Sequence, residues 1–429
     1  MEAACIKKKK RKQQTIHQQN NRGLGLSISR HGAVNLLTAF FIMHFRRHSY
    51  KMNGINCSTF KNMKYYIIAG EASGDLHGSN LIKELKQLDS IATIRCWGGD
   101  KMEAEGAVLV KHYRDLAFMG FIEVIKNLNT IFKNLSFCKQ DILKYQPDAL
   151  ILIDYPGFNL RIAKWAKLQG IKVIYYISPQ VWAWKESRVK GIKQYVDKML
   201  VILPFEKAFY KKWDYEVEYV GHPLVKVVNE FEPGNFLFPD KKIIALLPGS
   251  RQQEILKKLP IMLEATRNFP SYHFVVAKAP GVDENFYNEL LAPYKNVYAV
   301  VNKTYKLLSE AKAAVVTSGT ATLETALFNV PEVICYKGST ISYQIARRLV
   351  KIKYICLVNL IMDKEVVKEL IQDEMTTNNI TKELQQLLNN PDKQKQLQED
   401  YTALKILLSK GGNASANAAK SIVEFLSKS

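Results

Sequence analysis

The sequence has few of the features that mark metal-binding, disulfide-stabilised or membrane-spanning proteins. Its six cysteines stand apart, with no CxxC pair and no Cys/His cluster at zinc-binding spacing. This pattern indicates a reducing compartment and no structural metal. The apolar run at residues 33–45 is too short to cross a bilayer, and no small-residue cleavage site of a signal peptide follows it.

Acidic residues are scarce relative to basic ones, and the imbalance is concentrated at the start of the chain. Lys and Arg number 61 against 40 Asp and Glu, for a formal net charge of +21. Residues 1–62 contain twelve of these basic residues and a single acid, Glu2. The excess favours an anionic surface or phosphorylated ligands without identifying either. With 429 residues, 47% of them hydrophobic, the chain is expected to be globular with two domains.

Residues 1–62 differ from the rest and are left out of the fold prediction. Six consecutive basic residues lie at 7–12, and two arginines follow the apolar run. Two interpretations stay open: a basic targeting or membrane-surface arm, and a start codon assigned too far upstream. The second is favoured because Met63 almost directly precedes the first strand-like run, Tyr65–Ala69.

The second half of the chain contains a strand–turn–helix pattern that can bind an anion. The apolar run Ile243–Leu247 ends at a Pro-Gly turn, Ser250 occupies the predicted helix N-cap, and a helical pattern begins at Gln252. Backbone N–H groups and the helix dipole at such a junction can bind an anion, and Arg251 adds a planar donor suited to phosphate. The alternative is an ordinary turn with a surface arginine.

Two further Gly-rich turns follow strand-like runs, at 70–78 and 317–324. The spacing at 70–78 differs from GxGxxG, so NAD or FAD is not indicated. Apolar runs alternate with helical patterns on both sides of a Pro/Gly-containing linker at 230–240. We therefore predict an α/β protein with two Rossmann-like domains whose parallel sheets face a cleft.

Three other features have a structural interpretation, and two of them also have a functional one. Asp154 follows the buried run Ala149–Ile153, where a carboxylate suits a general base, although an aspartate before Pro-Gly is also a common turn residue. His77 is predicted to be a polar residue of the first helical turn. The apolar stretch Phe118–Leu135 suits either a packed helix pair or a surface for acyl chains or membrane.

Six motifs in combination resemble one family. They are GEASGD at 70–75, SPQVWAWK at 178–185, LPFEKAFY at 203–210, GHPL at 221–224, LLPGSR at 246–251 and TSGTATLE at 317–324. Together they look like lipid-A-disaccharide synthase, an inverting glycosyltransferase of the GT-B fold. The resemblance runs from Met63 to near the C-terminus. It implies an acceptor and membrane-facing domain at 63–230, a UDP-sugar domain at 240–395, and C-terminal helices at 396–429 that pack back on the first domain.

The resemblance also implies the reaction and the partners. UDP-diacylglucosamine and diacylglucosamine 1-phosphate would be joined to a lipid A disaccharide 1-phosphate, with release of UDP. No cofactor, metal or nucleic acid is implied, and the chain contains no metal-chelating Asp-x-Asp triplet. The expected location is cytoplasmic, at the anionic surface of the inner membrane, in a bacterium with an outer membrane. A homodimer remains an open option for the oligomeric state.

The site residues implied in this way fall into three groups. Asp154 is the expected base and Arg251 the expected partner of the leaving diphosphate. Candidate substrate-binding residues are Gly70, Ser73, Gly74, Asp75, Gly249, Ser250, Ser318, Gly319, Thr320, Glu324, Asn359 and Glu365. Candidate acyl-chain or membrane residues are Phe118, Met119, Phe121, Ile122, Ile125 and Phe132.

The sequence departs from the family pattern at Lys185, where arginine is common, and at Val358 and Met362-Asp363, near the nucleotide candidates. Two rival functions stay open. A UDP-sugar epimerase of similar two-domain architecture would leave a single sugar product. A non-catalytic UDP-sugar-binding, membrane-docking module would bind the nucleotide sugar without releasing UDP.

Overall fold

Two parallel β-sheets form the framework of the chain. A computed structural model describes residues 62–116, 128–238, 241–339, 343–344 and 352–428. Thirteen strands lie in these residues, and every pair of neighbouring strands is parallel. The predicted pair of Rossmann-like sheets is therefore confirmed.

The first sheet has seven strands in the order β3-β2-β1-β4-β5-β6-β7. In β1, Tyr65 and Ile67 pack into one hydrophobic cluster, and Tyr66 and Ile68 pack into another on the opposite face. Coverage of both faces explains why the central strands are continuous apolar runs. The strands are β1 (Lys64–Ala69), β2 (Thr93–Gly98), β3 (Val108–His112), β4 (Ala149–Ile153), β5 (Lys172–Tyr176), β6 (Lys198–Val201) and β7 (Glu218–Tyr219).

Helices lie between consecutive strands of this sheet, because parallel neighbours need a crossover connection. Among the described residues they are α1 (Ala72–Leu88), α2 (Asp100–Ala104), α3 (Leu128–Tyr145), α4 (Pro156–Leu168), α5 (Val181–Trp184), α6 (Arg188–Tyr195), α7 (Glu206–Lys211) and α8 (Pro223–Asn229).

The second sheet has six strands in the order β10-β9-β8-β11-β12-β13. They are β8 (Ile243–Leu247), β9 (His273–Lys278), β10 (Val297–Val301), β11 (Ala311–Thr317), β12 (Glu332–Tyr336) and β13 (Lys368–Ile371). The described helices around it are α9 (Gln252–Thr266), α10 (Glu284–Leu291), α11 (Thr304–Glu310), α12 (Thr320–Leu327), α13 (Leu357–Met362) and α14 (Thr377–Asn389).

Of the last two helices, α15 (Pro391–Ser409) pairs with the second half through Asp400 and Lys364, and α16 (Ala414–Ser427) returns to the first sheet. Asn413 donates to Glu84 of α1 at 3.2 Å, and Ser421 donates to Glu218 of β7 at 2.6 Å. A Cβ on Gly411 would lie 2.2 Å from the Cα of Gly221, so the backbones approach too closely for any other residue there. These contacts join the end of the chain to the first sheet and its helices.

Three details of the fold differ from the sequence prediction. Strands β3 and β13 were not predicted, because each is a short edge strand with at most one buried residue. The prediction that Ser250 is a helix N-cap was wrong. Arg251, in an extended conformation, takes that position, and α9 begins at Gln252.

Candidate active site

The loop after β1 is packed closely against its neighbours. A Cβ on Gly70 would lie 2.3 Å from the Tyr155 ring, and one on Gly74 would lie 3.0 Å from the Cβ of Ala69. Any side chain at Gly70 would clash with the ring, and one at Gly74 would press on Ala69. Ser73, in the first turn of α1, lines a cavity at the end of the sheet.

Asp75 is not among the residues that line that cavity, and its role in substrate binding stays a prediction. Its buried carboxylate accepts hydrogen bonds from the backbone N–H groups of Gly99, Lys101 and Met102 at 2.8, 3.2 and 3.1 Å. These bonds satisfy the otherwise unpaired donors at the start of α2. Asp75 thus joins α1 to α2 and acts as a structural residue.

Asp154 follows β4 directly, with its backbone in the left-handed region at φ 44°. Tyr175 donates to its carbonyl oxygen at 2.5 Å and Asn159 donates to the same oxygen at 2.8 Å. Such a conformation is costly for a non-glycine residue, and these two donors hold it in place. The arrangement positions the Asp154 carboxyl at the carboxyl edge of the sheet, where ligands of open α/β sheets bind.

The environment of Asp154 suits a group that exchanges a proton near neutral pH. Burial, followed by the negative charge of Glu71, raises the pKa of Asp154 to about 7. The backbone N–H of Tyr155 acts in the opposite direction by hydrogen bonding to the carboxylate. A general base works best with a pKa close to the operating pH.

A cavity of about 70 Å³, called here the interdomain pocket, lies beside Asp154. Most of its lining comes from the first sheet and the loops that follow its strands, whereas Thr320 and Leu357 come from the second half of the chain. The SPQVWAWK, LPFEKAFY and GHPL motifs all reach it, through Ser178 and Gln180, Leu203 and Glu206, and His222 and Leu224. Motifs that are far apart in the sequence thus meet at one site.

Three residues that line the pocket had no functional role predicted from the sequence: Glu206, His77 and His222. Glu206 accepts from the backbone N–H of Leu203 at 2.9 Å and from the Trp182 indole at 3.3 Å, and burial raises its pKa to about 7. The prediction that His77 is a first-turn polar residue was wrong, because it lies in the second turn of α1 and is buried. Their position just after strand ends, within the motifs or beside them, is the signal that could have identified them.

The carboxyl edge of the second sheet carries a glycine turn and an exposed arginine. Gly249 has φ 117°, a conformation that favours glycine, in the turn between β8 and α9. The Arg251 guanidinium lies 3.1 Å from Glu254 of α9 and 3.7 Å from Glu71 of the first half. Its side chain is 45% exposed, so these ion pairs are screened by solvent and exchangeable.

The turn after β11 lies on the same edge. Ser318 and Gly319 precede α12, which begins at Thr320. Glu324, one turn into α12, is half-buried and accepts from the Tyr305 hydroxyl at 3.1 Å. Burial raises the pKa of Glu324. The structure thus brings Gly249, Ser250, Arg251, Ser318, Gly319 and Thr320 to one edge, since β8 and β11 are paired and parallel.

Two predicted nucleotide-site residues are placed elsewhere. The buried Asn359 amide accepts from the backbone N–H groups of Val366 and Val367 at 2.8 and 3.0 Å and donates to Glu369 at 2.9 Å. Its polar atoms are occupied in shaping the loop before β13. Glu365 precedes β13 and pairs with Lys368, at the amino end of a parallel strand and opposite the ligand edge. Their assignment to substrate binding stays a prediction.

Of the predicted acyl-chain residues, Phe132 is the one that can be placed. It lies on α3 and is 61% exposed. Phe118, Met119, Phe121, Ile122 and Ile125 lie outside the described residues. Phe137 and Leu143 of α3 are also exposed, at 46% and 50%. Among the helices that the structure describes, none has the length and hydrophobicity needed to cross a bilayer.

The fold is similar to those of a UDP-GlcNAc epimerase and a glycosyltransferase of known structure. UDP-GlcNAc 2-epimerase from Neisseria meningitidis, solved with UDP-GlcNAc, aligns with a TM-score of 0.59 and 15% identity, over 86% of this chain and all of that one. The glycosyltransferase of kitacinnamycin also gives 0.59 and 15%, over 85% and 99%. At this identity the likeness shows the fold, and the predicted GT-B architecture is confirmed.

Sequence relatives are much closer than these structures. The chain is 38% identical to the lipid-A-disaccharide synthase of Geobacter metallireducens, over 86% of this chain and 99% of that one. It is 38% identical to the lipid-A-disaccharide synthase of Coxiella burnetii, over 84% and 98%. The family model described as lipid-A-disaccharide synthetase matches residues 65–424. Since these residues span both sheets and the last two helices, the chain belongs to the lipid-A-disaccharide synthetase family.

Proposed function

We propose that the protein condenses UDP-diacylglucosamine with diacylglucosamine 1-phosphate, forming the disaccharide 1-phosphate and UDP. The observation that carries the proposal is Asp154, with a pKa raised to about 7, on one sheet edge, and two anion-binding turns on the other. The family match supports the same reaction class.

The chemistry begins at Asp154. Its carboxylate accepts the proton of the acceptor hydroxyl as the hydroxyl oxygen attacks the anomeric carbon of the donor sugar. The bond from that carbon to the diphosphate oxygen breaks, and the electron pair leaves with UDP. Attack from the face opposite the diphosphate inverts the anomeric configuration. The proton held by Asp154 then passes to solvent.

The second half of the chain supplies positive potential for the leaving group. Backbone N–H groups at the start of α9 and α12 face the same edge, and each helix dipole favours an anion there. Arg251 would exchange its screened contacts with Glu71 and Glu254 for the diphosphate, whose planar recognition by arginine is bidentate. Glu324 would accept hydrogen bonds from the ribose hydroxyls.

The exposed apolar side chains of α3 support contact with acyl chains or lipid. Phe132, Phe137 and Leu143 share this helix with Lys133, Lys139 and Lys144. Apolar groups enter the acyl region of a membrane while lysines meet anionic headgroups. We therefore infer that the protein binds the anionic inner-membrane surface through this part of the first half.

One assay tests the reaction. The protein is incubated with both lipid substrates, and products are measured by mass together with UDP release. A disaccharide 1-phosphate and stoichiometric UDP are expected. An altered UDP-sugar formed without acceptor would instead indicate an epimerase, and donor binding with no UDP release would indicate a binding module.

A further inference from the structure

Two histidines of the interdomain pocket are buried and uncharged. His77 is 7% exposed and His222 is 3% exposed. Burial lowers the pKa of His77 to about 4, and burial together with the nearby His77 lowers the pKa of His222 to about 3. Both imidazoles are therefore neutral at physiological pH, and each has one nitrogen that donates and one that accepts.

The hydrogen bonding of His222 determines which of its nitrogens carries the proton. Its Nδ1 accepts from the backbone N–H of Leu224 at 3.3 Å, at the start of α8. A neutral imidazole that accepts at Nδ1 carries its hydrogen at Nε2. Because His222 lines the pocket, the Nε2–H group is the donor it can offer to a ligand there.

His77 has an unpaired polar atom at the same place. Its Nδ1 is buried and has no hydrogen-bond partner among the described residues. A buried polar atom without a partner is costly, so such an atom beside a pocket is a reason to look for a ligand. A hydroxyl group could pair with it while also accepting from a neighbouring donor.

The charge and size of the pocket restrict that ligand. Its described lining includes the acids Asp154 and Glu206 and contains no lysine or arginine, so a phosphate would be repelled. The volume of about 70 Å³ admits a few water-sized groups rather than a whole sugar ring. Neutral imidazoles, small volume and acidic neighbours all favour an uncharged hydroxyl.

We propose that His77 and His222 form a hydroxyl-binding site that holds the acceptor sugar within reach of Asp154. The proposal rests on the function proposed above and adds to it the residues that orient the acceptor. His222 donates from Nε2 to a sugar hydroxyl, and His77 accepts at Nδ1. The phosphate of the acceptor and the diphosphate of the donor lie outside this pocket.

His222→Asn is the most informative variant, because its side-chain oxygen can replace Nδ1 in accepting from Leu224 while nothing replaces the Nε2–H donor. We expect a melting temperature close to that of the wild type and about tenfold weaker binding of the acceptor, the usual effect of losing one hydrogen bond. Calorimetric titration of the UDP-bound protein with diacylglucosamine 1-phosphate measures this without turnover. Affinity for UDP should be unchanged, and His222→Gln, whose amide nitrogen reaches the Nε2 position, should recover part of the loss.

A matched control is His273→Asn, since His273 also has an unpaired Nδ1 but lies on β9, outside the pocket. It should bind acceptor and UDP like the wild type. If His222→Asn fails to fold, His77→Gln tests the second contact in the same titration. A folded His222→Asn protein with wild-type acceptor affinity, or with weakened UDP binding instead, would overturn the proposal. If the wild type binds both ligands but makes no disaccharide, the proposed function fails while the hydroxyl site stands.

Discussion

The carboxyl edges of the two sheets carry different kinds of candidate site residues. At the edge of the first sheet, titratable side chains gather around the interdomain pocket. Burial raises the pKa values of Asp154 and Glu206 to about 7 and lowers those of His77 and His222 to about 4 and about 3. At the edge of the second sheet, the candidates are a glycine turn, two helix starts and Arg251, which is nearly half exposed.

The difference matches the two roles proposed for the edges, which are proton transfer and binding of the diphosphate. Proton transfer needs a group whose charged form is disfavoured by a dry environment, and only buried side chains provide that. Binding of a diphosphate needs many donors and a cation that can change partners, which backbone N–H groups and an exposed arginine supply. We therefore propose that the same strand–turn–helix connection serves acid–base chemistry in one half and anion binding in the other.

The largest expected effect comes from Asp154→Asn. Asparagine has the same shape and tolerates the left-handed backbone of this position, so the fold should be kept while the base is lost. We expect kcat to fall roughly 10²- to 10⁴-fold, as measured by disaccharide formation. Asp214→Asn is the matched control, because Asp214 is also left-handed but is exposed and outside the pocket. A nearly active Asp154→Asn enzyme would mean that the base is another group.

Arg251→Ala should produce the next largest loss. Removing one electrostatic donor to a developing anion typically costs roughly 10²- to 10³-fold in kcat. UDP binding, measured by calorimetry, should weaken as well. Arg267→Ala is the control, since Arg267 caps the other end of the same helix and pairs with Glu264 at the surface. Turnover within a few-fold of the wild type would remove Arg251 from the diphosphate site.

The pH dependence should reveal the raised pKa of Asp154 in two ways. Activity should rise with pH through about 7, because the base must be ionised. Stability should change in the opposite sense. Since the folded pKa exceeds the ordinary value of 3.8, the native state holds a proton more tightly, and stability is lost as pH rises from about 4 through about 7.

Thermal melting between pH 5 and 8 measures the stability effect, and Asp154→Asn should flatten part of it. Glu206, whose pKa is also raised to about 7, adds a slope of the same sign, whereas the lowered pKa values of His77 and His222 add slopes of the opposite sign below about 6.5. The test is therefore the difference in slope between the wild type and Asp154→Asn. A kcat/KM profile that is flat between pH 5 and 8 would contradict the buried-base account.

Phe132→Ser should give a smaller effect that concerns the acceptor side alone. Each methylene group removed from water contributes about 0.8 kcal/mol, so losing part of one lipid contact should raise the acceptor KM several-fold. Vesicle binding should weaken in parallel, and UDP affinity should not change. Leu168→Ser is the control, because Leu168 is 69% exposed on α4. Normal vesicle and acceptor binding by a folded Phe132→Ser protein would exclude Phe132 from the lipid surface.

Glu71→Gln should give the smallest effect. The charge of Glu71 is the second cause, after burial, of the raised pKa of Asp154. Neutralising it should move the acid limb of the activity profile to lower pH by up to about one pH unit. Glu254→Gln is the control, because it removes the other carboxylate beside Arg251 but leaves Glu71 charged. A shift in Glu254→Gln equal to that in Glu71→Gln would assign the effect to Arg251 instead.

The sequence allowed the central strands and Asp154 to be predicted, because buried parallel strands are continuous apolar runs and a polar residue at their end is conspicuous. It could not separate ligand-facing residues from structural ones within a motif. Asp75 and Glu71 share the GEASGD motif, yet Asp75 holds the start of α2 and Glu71 faces Arg251. Asn359 shows the same limit, since its hydrogen-bond partners at 366, 367 and 369 are determined by the loop geometry.

The central claim is that the base lies at the edge of the first sheet and the diphosphate binds at the edge of the second. A crystal structure of the protein with UDP tests it most directly. The account predicts the diphosphate within hydrogen-bonding distance of the backbone at Ser250 and Thr320, with the Arg251 guanidinium moved from Glu71 onto it. Asp154 should remain without nucleotide contact. A diphosphate bound in the interdomain pocket against Asp154 would contradict the account.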